Sequence, residues 1–309
     1  MNKILGSYKN GNYKVILLDD GTKIRYNDLD SLIPDTVESM DIKITNQCDM
    51  GCKMCHENST IDGKHGDIMG AEFINHLHPY TELAIGGGNP LSHPDLIPFL
   101  QKCRDLKLIP SMTVNQKHFM NNLPLLRKLV DEKLIYGLGI SLNDINSSAI
   151  AALKSFENAV IHVINGLIKV KDLKKLKHQN LKVLILGYKE FRRGQALYSD
   201  PKSRSKIDAN KEELKHMLRT IIDENWFQVV SFDNLALNQL NVKDLMSEKD
   251  WEEFYMGDDG IGNSFDSATM YIDLVERQFA KNSCDPVRFE LLPTIEEMFN
   301  HLQTLYANK

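Results

Sequence analysis

Alternation of apolar and polar positions divides the chain into short segments whose order predicts the fold. Residues 13 to 26, YKVILLDDGTKIRY, read as two strands flanking Asp20-Gly21, a pair that favours the tight turn of a β-hairpin. From residue 39 onward, short β-like runs alternate with helix-like runs. The predicted strands are MDIKIT, ELAIGGG, PSMTVN, LGISL, AVIHVIN, LKVLILGY, VVSFDNLAL and TMYIDLV. Leu96, Phe99, Leu100 and Cys103 fall on one helical stripe, and so do Leu214, Met217, Leu218, Ile221 and Ile222. SHPD opens the first of these helices, with Ser92 and Asp95 at capping-box spacing. The polar, turn-rich stretch YSDPKSRSKIDANKEE reads as a long loop.

Repeated strand-helix alternation implies parallel strands joined by right-handed crossover helices. Several strands are apolar throughout, as strands covered on both faces are. The expected fold class is α/β: a full or partial (β/α) TIM-type barrel of parallel strands, with an open doubly wound sheet less favoured. Residues 1–38 form an N-terminal β-hairpin extension in this reading, and 39–309 form the barrel with a C-terminal segment covering the substrate. Either arrangement puts a functional site at the carboxyl ends of the strands.

Composition narrows the possibilities. With 309 residues, 42% hydrophobic and 26% charged, the chain suits a soluble globular protein with a real core. A formal net charge of -5 offers no general attraction to nucleic acid or anionic membrane, so neither is an expected partner. No apolar run has the length of a membrane span, and the N-terminus has no signal-peptide core, which points to a cytoplasmic location. Three of the five cysteines are clustered and two are isolated, a distribution unlike a disulfide framework.

The clustered thiols, Cys48, Cys52 and Cys55, lie in TNQCDMGCKMCHENST directly after the first barrel strand, with spacing C-x3-C-x2-C. Soft thiolates suit an iron-sulfur cluster, zinc or copper. A short loop can wrap three thiolates around three corners of a cubane [4Fe-4S] cluster. Cys103 sits on an apolar helical stripe as a small hydrophobe, and Cys284 lies far along the chain in KNSCDP. Three protein ligands leave one iron open. The competing reading is a structural zinc site with His56 as fourth ligand, for which the adjacency of Cys55 and His56 is poorly suited.

With this loop in this place, the chain resembles the radical S-adenosylmethionine (radical SAM) superfamily over roughly residues 39 to 240. The resemblance implies two cofactors, a [4Fe-4S] cluster and SAM, and a one-electron donor such as flavodoxin or ferredoxin. In that family the open iron chelates the amino and carboxylate groups of SAM. One electron then cleaves the sulfonium, and the resulting 5'-deoxyadenosyl radical abstracts hydrogen from the substrate. Met54 stands where the family usually has an aromatic residue near the adenine. LAIGGGNPLSHPDL resembles the family's Gly-Gly-Glu-Pro motif, with Gly87, Gly88 and Asn89 in its places. Asn89 keeps a carbonyl acceptor but lacks the acid's charge, and the glycines permit close backbone approach to a ligand. Ser141 and Asn143 end LGISLND, where the family often places SAM ribose or carboxylate contacts; capping of the next helix explains them equally well. Among the cations of LGYKEFRRG, Lys189 is the one best placed for SAM's carboxylate or an anionic substrate group, and others there read as solvated surface.

The substrate is read from acids. Asp233 and Asn234 interrupt the apolar run VVSFDNLAL, and Asp273 does the same in MYIDLV. A buried Asp is either tied to backbone donors or aimed at a ligand. Asp259 lies in MGDDGIGNSFDSAT, which does not match an EF-hand and reads as a surface loop or a cover over the barrel mouth. Acids at strand ends suit a small substrate rich in N–H donors, such as a guanine-like base. LGYKEFRRG and MYIDLVERQFAKNSC resemble the queuine lyase branch. That resemblance implies cleavage of the C–N bond of queuine, releasing 7-aminomethyl-7-deazaguanine for tRNA nucleobase salvage. Two alternatives stand beside it: a radical SAM enzyme modifying a peptide or protein, and a non-catalytic iron-sulfur or zinc protein. The lack of further clustered cysteines argues against auxiliary clusters.

Overall fold

Seven consecutive βα-type steps and one returning strand build the main sheet of the computed structural model, which describes residues 3–29, 32–254 and 267–307. Its parallel strands are β4 (Ser39–Thr45), β5 (Glu82–Gly87), β6 (Ile109–Asn115), β7 (Gly137–Ser141), β8 (Ala159–Ile164), β9 (Lys182–Leu186), β10 (Val229–Phe232) and β11 (Thr269–Asp273). Strands β4 to β10 lie side by side in chain order, and β11 returns to pair with the free edge of β4. Two short antiparallel strands, β12 (Gln278–Ala280) and β13 (Phe289–Glu290), extend the sheet beyond β11. The N-terminal segment is a separate antiparallel meander of β1 (Ile4–Asn10), β2 (Tyr13–Leu18) and β3 (Lys23–Tyr26). The predicted hairpin is its β2–β3 half, and β1 adds a third strand.

The sheet is curled. Asp41 on β4 lies within electrostatic reach of Lys189 and Asp233, which come after β9 and β10 at its far edge. Strand β10 pairs with β9 but not with β11 among the described residues, so the structure is a partial barrel with a seam between them. The period-two pattern assigns the two faces. Met40, Ile42, Ile44, Leu83, Ile85, Met112, Val114, Leu138, Ile140, Ile161, Val163, Val183, Ile185, Met270 and Ile272 point outward and are buried beneath the surrounding helices in one core. The opposite, concave face carries the register-matched positions Asp41 and Ala84, Lys43 and Gly86, Ser111 and Gly137, Thr113 and Gly139, and Ser141 and His162. Small and polar residues therefore line the lumen. The His162 ring packs over Gly139, where a Cβ would lie 2.4 Å from it.

Three expectations need correction. VVSFDNLAL does not stay extended. β10 stops at Phe232, and a helix (Asn234–Gln239) begins, because the Asp233 carboxylate accepts from Ala236 N at 2.7 Å as an N-cap. YSDPKSRSKIDANKEE is not a loop but enters a 23-residue helix, Pro201–Asp223. Its turn-like residues are the start signal: Asp200 accepts from Ser203 N at 2.8 Å, and Pro201 occupies the first turn. The stripe that buries this helix is Ile207, Leu214, Leu218 and Ile221, while Ile222 is 40% exposed. The capping box at SHPD does not form. Ser92 Oγ donates to Asn89 O, Asp95 caps with no side-chain bond, and His93 Nδ1 accepts from Asp95 N instead. The helix itself, Leu96–Asp105, buries Leu96, Phe99, Leu100 and Cys103 as expected.

One buried acid fastens the meander to the barrel. Glu38, fully buried just before β4, accepts from Tyr13 Oη at 2.5 Å and from Arg25 Nε at 2.8 Å, with Lys23 Nζ 3.3 Å away. Burial and the Glu38 bond together push the Tyr13 phenol above its ordinary range, so it stays a donor. Glu38→Ala leaves Arg25 without its acceptor, while Lys23 keeps its ion pair with Glu82, and is expected to cost about 3 kcal/mol, by analogy with one-sided removal of a buried ion pair. Chemical denaturation measures the loss, and amide exchange should rise first in β1 to β3.

Candidate metal and cofactor site

The thiol loop leaves β4 at Thr45 and is stitched into a fixed shape by its own backbone. Asn46 N donates to Lys64 O at 2.7 Å, Cys48 N to Thr60 O at 2.7 Å, and Gly66 N to Ile44 O at 2.8 Å. Gly51 sits at φ 58°, the left-handed geometry a turn between the first two cysteines requires. Cys55 N bonds back to Cys52 O at 3.2 Å, closing the second turn. Cys48, Cys52 and Cys55 are all half-buried.

Burial pushes the Cys48 and Cys52 thiols up, and neighbouring cysteines push them further. Three thiolates at this spacing need a cation between them. Among the described residues, the one set of three candidate ligand atoms within 4.8 Å of one another is Cys48, Asp49 and His118. Of these, Asp49 and His118 already bond each other, Oδ1 to Nε2, at 2.6 Å. The three sulfurs do not converge on a single-ion point, which suits a polynuclear cluster better than one zinc. His56 is turned away to Glu57, with Nε2 3.3 Å from Glu57 Oε1 and 3.4 Å from Lys189 Nζ.

The Gly87-Gly88-Asn89 turn is pressed against this loop. Gly88 N donates to Thr45 O at 2.8 Å and Asn89 N to Gln47 O at 2.7 Å. A Cβ on Gly87, which has φ 108°, would fall 2.4 Å from Thr45 O, and one on Gly88 would fall 2.2 Å from Gln47 O. The close approach these glycines permit is therefore to the loop backbone. Gly86, by contrast, would send a Cβ into open lumen space with nothing within 4 Å. The Asn89 side-chain Oδ1 accepts from Leu91 N at 3.3 Å as the cap of a short 3-10 turn. Met54 is half-buried on the same loop, and its carbonyl faces Gly194.

LGYKEFRRG does more than present cations to solvent. Arg192 Nη1 donates to Glu57 O at 2.8 Å, and Arg193 Nη2 donates to Ser59 O. Arg193 partly offsets the upward push of burial and Cys55 on the Cys52 thiol. Lys189 Nζ donates to Ser283 Oγ at 2.8 Å. Lys189, His56 and the thiol loop thus meet at one mouth of the barrel. Ser141 and Asn143 lie at and just beyond the carboxyl end of β7, where Asn143 exchanges side-chain bonds with Asn115 at 2.7 and 2.9 Å. Gln116 Oε1 accepts from Asn143 N at 2.8 Å.

The acids assigned to substrate are largely occupied. Asp233 Oδ1 accepts from Gly187 N and Ala236 N. Asn234 begins the helix after β10, half-buried. Asp273 accepts from Lys43 Nζ at 3.0 Å and from Val275 N and Glu276 N. Asp259 lies outside the described residues.

Sequence reasoning missed three residues here. Glu57, two positions past the last cysteine, is 6% exposed and sits 3.1 Å from Lys43 Nζ, with Tyr271 Oη 3.4 Å away. Burial alone would raise its carboxyl, but His56 and Lys43 outweigh this and hold it well below the ordinary carboxylate range. His56 is itself held below its usual value by burial and by Lys189, so at neutral pH the cations serving Glu57 are Lys43 and Arg192. The other two, Asp41 and His162, face the lumen from mid-strand. Their signal was a charged or polar residue inside an apolar run, MDIKIT and AVIHVI.

The chain is thus a partial (β/α) barrel with a three-thiol loop at the carboxyl end of its first barrel strand. Solved structures of Streptococcus suis SuiB share the fold. SuiB bound to precursor peptide SuiA matches at 14% identity and TM-score 0.56, over 89% of this chain and 67% of SuiB. SuiB bound to S-adenosylmethionine matches at 13% and 0.58, over 89% and 68%, and a further SuiB structure at 15% and 0.50, over 81% and 61%. No family model and no curated protein matches the chain.

His162 lies deep in the lumen, and burial depresses its imidazole to about 4. A depressed histidine contributes stability that is complete above the ordinary value of 6.5 and is lost as pH falls toward 4. Denaturation midpoints of the wild type should therefore drop on acidification through this window. In His162→Gln that part of the drop should be absent.

Proposed function

We propose that this chain is a radical SAM enzyme that acts on a peptide. The observation that carries the first half is the thiol loop itself. Three soft ligands are spaced beyond single-ion reach on a backbone held rigid at a barrel mouth. Cys48, Cys52 and Cys55 would hold a [4Fe-4S] cluster, and the open strand end at Gly86 to Asn89, with Met54, Lys189, Ser141 and Asn143 around the mouth, would receive SAM. When bound, the two supply an electron to the sulfonium and a 5'-deoxyadenosyl radical that takes hydrogen from carbon. The protein's part is positional. Arg192 and Arg193 fix two loop carbonyls, and Glu57 and Lys43 neutralise each other beneath the loop. A one-electron donor of the flavodoxin or ferredoxin kind completes the scheme.

For the substrate, two observations favour a peptide over queuine. SuiB, which shares the fold, has been crystallised with a precursor peptide. The acids that motivated a guanine-like base, Asp233 and Asp273, are engaged by backbone N–H groups and by Lys43. Two of the three acids meant to read a free deazapurine are thus already engaged within the protein.

Anaerobic reconstitution tests the reading. About four irons per chain and 5'-deoxyadenosine released from SAM on dithionite reduction are expected. Cys52→Ala should lose both, whereas zinc without SAM cleavage would remove the proposal.

A further inference from the structure

We infer that Asp41, on the lumen wall, anchors a cationic side chain of the substrate, a lysine- or arginine-type group. This rests on the peptide reading above and specifies which residue of the peptide enters the barrel.

Asp41 is the third residue of β4 and faces the concave side, in register with Tyr271 on β11 and Ala84 on β5. Next along that layer come Ser111 and Gly137. On the β5 side the small Ala84, Ser111 and Gly137 leave space, and the Asp41 side chain, flanked on the other side by Tyr271, is exposed to it. Every other acid at this end of the lumen has direct partners. Glu57 has Lys43 and Arg192, Asp273 has Lys43 and two backbone amides, and Asp233 has two backbone amides. Asp41 makes no hydrogen bond or ion pair with any described residue.

The neighbouring cations are already committed. Lys43 is shared by two carboxylates, Lys189 is held by Ser283, and the Arg288 guanidinium stacks on Tyr271 while donating to Asn282 O and Ser283 O. Enclosure by the barrel walls raises the Asp41 carboxyl, and Glu57 and Asp233 add to that; only Lys189 opposes it. A carboxylate that opens onto the lumen with more negative than positive neighbours is a ready partner for a cation that brings its own N–H donors. A lysine or arginine side chain is long and thin enough to reach it past Ala84 and Gly86. The imidazole of His162, also without a partner among the described residues, lies over Gly139 on the same concave face.

The test uses the reconstituted, SAM-loaded protein without reductant, titrated calorimetrically with the pentapeptide Gly-Gly-Lys-Gly-Gly and its arginine and norleucine versions. The basic peptides should bind about tenfold or more tightly than the norleucine one, which lacks only the charge and its donors. Asp41→Asn, isosteric and neutral, should abolish that preference with SAM affinity and thermal midpoint unchanged, and Asp41→Glu should keep part of it. Equal binding of the three peptides, or a preference that survives Asp41→Asn, overturns the inference. So does a fall in SAM affinity in Asp41→Asn, which would mean that Asp41 reads the SAM cation. If no 5'-deoxyadenosine forms on reduction, the radical reading fails, while the peptide preference still decides the role of Asp41.

Discussion

A single lysine holds the site together. Lys43, 1% exposed in the middle of β4, bonds Glu57 on the thiol loop at 3.1 Å and Asp273 at the end of β11 at 3.0 Å. An ammonium taken so far from water costs several kcal/mol unless it is well paired, and each carboxylate would be as costly without the lysine. The three are stable only together. Their geometry fixes which strand lies beside β4 and where the loop after Cys55 turns back. The lysine stem does a second task, since Cγ lies 2.9 Å from where a Gly87 Cβ would be and so closes the space beneath the glycine turn. Sheet order, loop position and the form of the second strand end all depend on this one buried charge.

The lumen it supports is unlike an ordinary barrel core. Barrel interiors are usually filled by layers of branched aliphatic side chains. Here the inward positions of β4 to β7 are Asp41, Lys43, Ala84, Gly86, Ser111, Thr113, Gly137 and Gly139, so volume is left unfilled and its lining is polar. Packing is supplied instead by the outer face, where the apolar alternates of the same strands meet the helices. The fold gives up interior stabilisation to keep a chamber.

Much of this is legible in the chain and some is not. All eight parallel strands are visible, because each is an uninterrupted apolar or alternating run of the length a buried strand needs. The thiol loop is visible because its spacing is local. What cannot be read are meanings set by distant partners. Asp273 looks the same in the sequence whether it faces a ligand or Lys43, which lies 230 positions away. Asp233 reads as a strand residue because an N-cap and a strand interior differ only in the residues after them, and Asn-Leu-Ala-Leu is acceptable to both. Glycines 87 and 88 read as room for a ligand, whereas the nearer atoms belong to Thr45 and Gln47. The helix after Asp200 is hidden by its own cap, since Asp and Pro are also the residues of turns.

The anchorage of the meander at Glu38 has a mechanical side. Glu38 precedes the first residue of β4, and the thiol loop leaves from the last, seven residues on. A strand hydrogen-bonded on both edges is a stiff rod, here about 23 Å long at ~3.3 Å per residue. Meander and thiol loop are thus loads at the two ends of one rod, clamped along its length by β5 and β11. The N-terminal sheet meets β4 through the Glu38 ion pairs, and β4 ends where the cysteine loop begins.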